Sequence, residues 1–245
     1  MDRMIFLAMN AARQMLNGQS QAANNLANAN TTGFKADFEA FRAMPLFGEG
    51  EPTRVFSMAE RPGVNFKPGA IQQTGNELDV AINGDGFFAV QTRNGSEAYT
   101  RAGELHIDAA GALLTAEGDQ LLGNGGPIFL PQSSTVLVGK DGTISVRPIG
   151  QEANTLAQVD RLKLVKPGVE GLVKGSDGLF RQKSGLPLEA DASVGVIAGA
   201  LEGSNVNPVA EMMNMIENSR QYELAVKAMN TAQTLDADGA RLLRL

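Results

Sequence analysis

The sequence has no cysteine, no tryptophan and a single histidine, and only 5% of it is aromatic. Without cysteine there is no disulfide, no zinc–thiolate or iron–sulfur ligation and no thiol nucleophile. His106 alone builds no poly-histidine metal site. No run approaches the roughly 18 apolar residues of a membrane-spanning helix. The apolar opening Met4–Met9 follows Asp2 and gives way at once to Asn10, Arg13 and Gln14, which does not fit a secretory leader. The expectation is a cytoplasmic chain, or one that leaves the cell without cleavage. Positive charge is short as well. With 21 Lys and Arg against 27 Asp and Glu, the net charge of −6 disfavours binding to nucleic acid or anionic membranes. What is present is enough for a core: 43% of 245 residues are hydrophobic, so any core is mostly aliphatic and alanine-rich.

These residues are segregated along the chain. Of 28 glycines, only Gly18 precedes residue 33 and only Gly239 follows residue 203. All ten prolines fall between Pro45 and Pro208, and eight of ten methionines lie in the two ends. The ends are free of strong helix breakers and the middle is full of them.

The N-terminal end predicts a helix over residues 2–28. Ile5, Ala8, Ala12, Met15, Gln19, Ala22 and Leu26 alternate steps of three and four, a heptad seam with one polar slip. Thr31, Thr32 and Gly33 stop it. The C-terminal end predicts a second helix from 208 to about 235, with Asn207 as N-cap and Pro208 in the first turn. Its expected stripe is Val209, Met212, Ile216, Ser219, Tyr222, Val226, Met229 and Ala232. Neither narrow stripe buries itself, and isolated helices are marginal in water. Two outcomes stay open: ordinary packing of the two helices in one domain, or a terminal coiled coil that packs against other subunits.

Residues 69–200 read as β. Leu78–Asn83 and Gly86–Thr92 predict a hairpin across Gly84-Asp85. Further strands are expected at Leu113–Thr115, Thr135–Val138, Thr143–Val146, Val159–Val165 and Val194–Ala198. Turns are expected at Asn94-Gly95, Ala110-Gly111, Glu117-Gly118, Asp141-Gly142 and Asp177-Gly178. The prolines and glycines of 45–68 predict an irregular, extended connector.

Chemical motifs are weak. Gly84-Asp85-Gly86-Phe87-Phe88-Ala89 matches the spacing of a dinucleotide fingerprint, which requires a helix to open there. Phe87–Val90 instead continues as strand. His106, with Asp108 or Glu104, is the one candidate acid–base group, and no nucleophile motif accompanies it. Asp79, Asp85 and Asp108 lack a calcium-loop pattern and read as turn chemistry. Lys163 and Lys166 are isolated charges.

Three segments carry a resemblance. Asn24–Lys35 (NNLANANTTGFK), Thr74–Phe88 with Tyr99–Gly103, and Leu201–Pro208 (LEGSNVNP) are similar, in this order, to signature blocks of the bacterial flagellar rod and hook proteins. The short length, the start Met1-Asp2-Arg3, the Arg161–Val165 stretch and the third block resemble the proximal-rod branch, with the distal-rod branch as the alternative. The resemblance implies an α+β fold: paired terminal helices as a coiled coil (1–44 and 204–245), connectors at 45–77 and 190–203, and a central β domain at 78–189. It implies a structural subunit, not an enzyme, without cofactor or metal, assembling helically in the periplasmic rod of the basal body. Implied partners are other rod proteins, copies of itself and the flagellar export apparatus, with no nucleic acid and no direct membrane insertion. The expected assembly residues are Ile5, Ala8, Ala12, Met15, Ala22, Asn25, Leu26, Asn28, Thr32, Gly33, Phe34, Asn205, Asn207, Met212, Ile216, Tyr222, Val226 and Met229. Two other classes remain open at this stage: a β-domain enzyme using His106, and an adhesin-like β protein trimerised by its helices.

Overall fold

The computed structural model describes residues 4–45, 55–131, 133–148, 156–168 and 171–242. The chain divides into two compact units. The first comprises residues 1–29, 36–65 and 206–245; the second comprises 30–35 and 66–205.

In the first unit, helix α1 spans Met4–Ala27, strands β1 and β2 span Asp37–Pro45 and Val55–Val64, and helix α2 spans Pro208–Leu242. α2 begins as its sequence dictates. The Asn207 side-chain oxygen accepts the N–H groups of Val209 (3.1 Å) and Ala210 (3.2 Å), and Pro208 fills the first turn. It runs past the expected end near 235 to Leu242, through Gly239, and its last turns are mostly exposed.

The two helices pack antiparallel. Asn25 Nδ2 donates to Glu211 Oε1 (3.0 Å) at one end, and a Cβ on Gly18 would stand 3.0 Å from Asn218 Nδ2 further along. The seam is built from small side chains: Ala8, Ala12, Ala22, Ala225 and Ala232 are buried. Ile5, Met15, Gln19, Leu26, Tyr222, Val226 and Met229 are half-buried beside them.

The first half of α2 departs from the expected stripe. Val209, Met212 and Ile216 are exposed, at 62%, 45% and 61%. The inward side is instead Glu211, Met215, Asn218, Tyr222, Ala225, Met229 and Ala232. Polar anchors set this rotation: Glu211 is held by Asn25, and Asn218 occupies the gap that Gly18 leaves. Hydrophobic periodicity alone does not register such anchors.

The connector expectation also fails in part. β1 and β2 form an antiparallel ribbon from Asp37↔Val64 to Pro45↔Val55, with a register shift between Glu39 and Ala40. Pro62 is accommodated because each strand of a two-stranded ribbon keeps an open edge and needs no second ladder. The Cβ that Gly63 lacks would meet the Phe38 ring, and Asn65 N–H donates to Ala36 C=O (2.8 Å) at the base. Residues 46–54, with Pro52, lie outside the described residues.

The second unit begins with β3 (Ile71–Gln73), β4 (Val80–Asn83), β5 (Phe87–Gln91), β6 (Glu97–Thr100), β7 (Leu105–Ile107) and β8 (Leu113–Thr115). It continues through β9 (Gln120–Gly123), β10 (Gly126–Pro127), β11 (Ser133–Val138), β12 (Thr143–Pro148), β13 (Ala157–Arg161) and β14 (Leu164–Val165). It ends with β15 (Leu172–Lys174), β16 (Phe180–Gln182), β17 (Gly195–Ala198) and β18 (Ala200–Glu202). The largest sheet runs β15-β16-β6-β5-β9-β8-β7, with β10 on β9 and β14 on β5. β11-β12-β13 form a second sheet, and β17-β4 and β18-β3 form two ribbons. β3, β17 and β18 therefore lie within the expected connector segments 45–77 and 190–203 and are paired strands. The core gathers Val80, Ile82, Phe88, Val90, Leu121 and Ile144 with their neighbours.

The expected hairpin of 78–92 does not form. β4 pairs with β17, from Asn83↔Gly195 to Val80↔Ala198, while β5 pairs with β6, β9 and β14. The chain does turn at Gly84 (φ 87°), but Gly86 (φ 149°) then carries it against the Val194 side chain and onto another sheet. Phe87–Val90 is buried on both faces, as a central strand's unbroken apolar run requires. The expected strand 159–165 breaks into β13 and β14. All five expected turn glycines have positive φ, from 77° to 89°.

Candidate functional site

The signature blocks of the second unit, far apart in sequence, meet in space. Gly33 takes φ 69°, and a Cβ there would overlap the Arg101–Ala102 backbone. Its N–H donates to Glu202 C=O (2.7 Å), and Asn205 N–H donates to Phe34 C=O (3.3 Å). Thus Thr32-Gly33-Phe34 lies between the second and third blocks. Gly103 makes the same kind of approach to the Val80 carbonyl, and its own carbonyl accepts the Val80 N–H (2.9 Å).

Beneath this loop is a buried ion cluster. Lys35 and Glu202 are each 1% exposed and Arg101 is 3% exposed. Lys35 Nζ donates to Glu202 Oε1 (2.6 Å) and to Lys67 C=O (2.9 Å). Arg101 Nη1 donates to Glu202 Oε2 (2.7 Å), and its Nη2 donates to Gly84 C=O (2.8 Å). Gly69 N–H adds a third donor to the carboxylate (2.8 Å). The Arg101 guanidinium also lies 5.3 Å from the centroid of the Phe87 ring. The Phe87 ring in turn packs edge-on with Phe66 and at a tilt with Phe180. Lys174 Nζ sits 3.9 Å from the Phe34 ring centroid and donates to Lys35 C=O (2.9 Å).

Burial pulls the Lys35 ammonium below its ordinary range, although Glu202 opposes the shift. Burial alone would raise Glu202. The Lys35 hydrogen bond, the Arg101 charge and the Gly69 N–H together outweigh it and hold the carboxyl below its usual range.

In the first unit, Asn25 is 2% exposed and works in three directions. Its Oδ1 accepts Asp37 N–H (2.9 Å), and its Nδ2 donates to Asp37 C=O (2.9 Å) and to Glu211. One side chain thereby ties α1 to β1 and α2. Asn28 Nδ2 donates to Asn24 C=O (2.9 Å) at the end of α1, beside the backbone N–H of Asn28 (3.2 Å). Several large apolar side chains remain exposed on both helices, among charged and polar ones. Phe6, Met9 and Leu16 are exposed on α1, and Val209, Met213, Ile216 and Leu224 on α2.

Of the expected assembly residues, the structure places Ala8, Ala12, Ala22 and Asn25 inside the helix pair. Ile5, Met15, Leu26, Tyr222, Val226 and Met229 lie at its margin. Met212, Ile216 and Asn207 are on the outside. Thr32, Gly33, Phe34 and Asn205 belong to the second unit. Lys35, Arg101 and Glu202 escape the sequence reading because long charged side chains are almost never fully buried unless paired. The available signal was their position inside the quoted blocks.

His106 is exposed on β7, opposite Leu114. Asp108 Oδ1 accepts the turn amides of Ala110 (2.9 Å) and Ala112 (2.7 Å), the turn role expected of it. Lys163 is not isolated: it pairs with Glu97 (2.8 Å). Glu97 also accepts a hydrogen bond from the Tyr99 hydroxyl (3.0 Å). Burial pushes that hydroxyl up to about 12. Among the described residues no three His, Asp or Glu side chains are grouped to hold a metal, and no helix is long and apolar enough to cross a membrane.

Two family models match the chain: the flagellar hook protein FlgE/F/G D1 domain over residues 81–146, and the flagellar basal body rod FlgEFG protein C-terminal region over 197–242. The flagellar basal-body rod protein FlgF of Escherichia coli K12 is 44% identical over 94% of each chain. That of Salmonella typhimurium LT2 is 41% identical over the full length of both. A FlgG rod protein, from Buchnera aphidicola of Acyrthosiphon pisum, is 34% identical over 86% of this chain and 88% of its own. The chain belongs to the flagellar basal-body rod protein family. Its identity to the two FlgF relatives exceeds its identity to that FlgG relative.

Proposed function

We propose that the chain is a structural subunit of the flagellar basal-body rod, of the FlgF type, joined to copies of itself and to other rod proteins through its terminal helices. The observation that carries this is the helix pair. It is closed between the helices by an alanine seam and polar anchors, and it leaves Phe6, Met9, Leu16, Val209, Met213, Ile216 and Leu224 exposed to solvent. Seven large apolar side chains on one helix pair are more than scattered surface residues, and they favour burial against a neighbour. Heterologous contacts of this kind, repeated head to tail, generate an open helical polymer. Packed helices running along such a polymer carry torque. The work is structural, which is what membership of the rod family supports. The location that follows is the periplasmic part of the basal body, and delivery runs through the flagellar export apparatus.

Deleting residues 4–27 tests the reading. The truncated chain should fail to enter the rod while its β unit still melts cooperatively. Incorporation of the truncated chain would contradict it. A His106→Ala chain should support normal motility; assembled but immotile cells would favour the enzymatic alternative.

A further inference from the structure

The chain passes between its two units at residues 29–30, 35–36, 65–66 and 205–206. The three segments of the second unit that adjoin these passages, 31–35, 66–70 and 201–205, are fastened to one another. Gly203 N–H donates to Ala70 C=O (2.8 Å), and Asn205 Nδ2 donates to Lys67 C=O (2.9 Å). These bonds join the Gly33–Glu202 and Phe34–Asn205 bonds already described. No residue of the three straps belongs to the hydrophobic core cluster of the described residues. Phe66 also packs on Phe87 and Phe180, Lys174 holds Phe34 and Lys35 C=O, and Leu201–Glu202 pair with β3; at the centre of these contacts lies the charge cluster, which holds two cations on a single carboxylate.

We propose that Lys35, Arg101 and Glu202 form a clasp that opens as a unit of its own while the β core stays closed, and that Glu202 is its key. Three features support this. First, the partners are remote: Lys35 and Glu202 are 167 residues apart, and Arg101 and Glu202 are 101 apart. Loop-closure entropy therefore makes their meeting a late event. Second, the charges are unequal in number. Removing the carboxylate leaves two buried cations unpaired, whereas removing one cation leaves a balanced pair. Third, Arg101 Nε is buried without a hydrogen-bond partner, so the closed state is incompletely satisfied. Stability within a fold is distributed, and segments fastened outside the core open sub-globally. Opening here frees the strap segments next to the passages between the units and leaves the sheets in place. The clasp stands apart from the assembly reading, because it concerns the isolated chain.

The test is native-state amide hydrogen exchange on the full chain at neutral pH. Gly33, Gly203 and Asn205 report on the clasp. Leu113 and Ile128, whose N–H groups bond to Ile128 and Leu121 carbonyls, report on the core. Glu202→Gln should speed exchange at the clasp amides by roughly two to four orders of magnitude, the scale of a broken buried ion pair, and leave the core amides unchanged. Lys35→Met should speed the clasp amides far less, since its apolar stem fills the same space and Arg101 keeps its counterion. A uniform acceleration of clasp and core, no acceleration, or an effect of Lys35→Met equal to that of Glu202→Gln overturns the proposal. So does a Glu202→Gln chain that fails to fold, because the core is held to stand without the clasp.

Discussion

Three side chains and one missing side chain account for much of the first signature block. Asn25 closes a bidentate pair with the Asp37 backbone, Asn28 caps the helix end, and Lys35 reaches Glu202. Gly33 is required twice over, by its positive φ and by the approach of the Arg101 backbone. Gly33→Ala should therefore destabilise the second unit by about 3 kcal/mol or more, read as a lowered denaturation midpoint. The charges predict a pH response of definite sign. Glu202 is held below the unfolded carboxyl value of about 4.3. Below that value the unfolded chain binds the proton first, so this contribution is lost as pH falls through the folded pKa. Glu117 and Asp119 act oppositely. Burial raises both, with Asp119 and Asp177 adding to Glu117, and Asp177 adding to Asp119. Their cost at neutral pH is relieved as pH falls through their raised values. Stability measured by denaturant titration should thus rise slightly on mild acidification and then fall below about pH 4. A monotonic loss from pH 7 downward would contradict this assignment.

At the scale of elements, local chemistry was legible and long-range pairing was not. The turn glycines and the Asn207-Pro208 cap are written within a few residues of where they act. β4 finds β17 more than a hundred residues later, and no local pattern announces that partner. The α2 stripe shows the same limit in a helix. Val209, Met212 and Ile216 satisfy an apolar period, yet the helix is rotated by Glu211 and Asn218, which pair with Asn25 and pack at Gly18. Gly18 leaves room for the Asn218 side chain, and a glycine inside a helix costs about 0.5–1 kcal/mol relative to alanine. Gly18→Val should lower helicity and thermal stability of the helix pair, because the added side chain displaces Asn218. Gly239→Ala, in the exposed end of α2 with nothing near the added Cβ, should instead raise helicity slightly. Circular dichroism of both variants separates the two roles.

For the whole molecule, the absences noted in the sequence now have physical partners. The breaker-free ends are a helix pair with a filled seam and exposed apolar side chains, and the glycine-rich middle is a large sheet with smaller sheets and ribbons, twelve of whose glycines take positive φ. The low charge and the lone exposed histidine suit a chain whose partners are protein surfaces. The blocks that carried the family resemblance coincide with close backbone approaches and the buried ion cluster, which is why they were readable as motifs before their contacts were known. The exposed apolar residues were mostly missed: of Phe6, Met9, Leu16, Val209, Met213, Ile216 and Leu224, only Ile216 stands in the expected assembly set, because the heptad seam was traced along the side that turns inward.

The central claim is that the outward faces of α1 and α2 join subunits. The most direct measurement is rod incorporation of the full chain carrying Val209→Asp, Ile216→Asp and Leu224→Asp together, with monomer folding followed in parallel. These residues are exposed at 62%, 61% and 65%, so the isolated chain should keep its helicity and melting temperature within experimental error. Each aspartate would be buried unpaired at a subunit contact, so incorporation should be lost. Rods that assemble normally from the triple variant would contradict the claim.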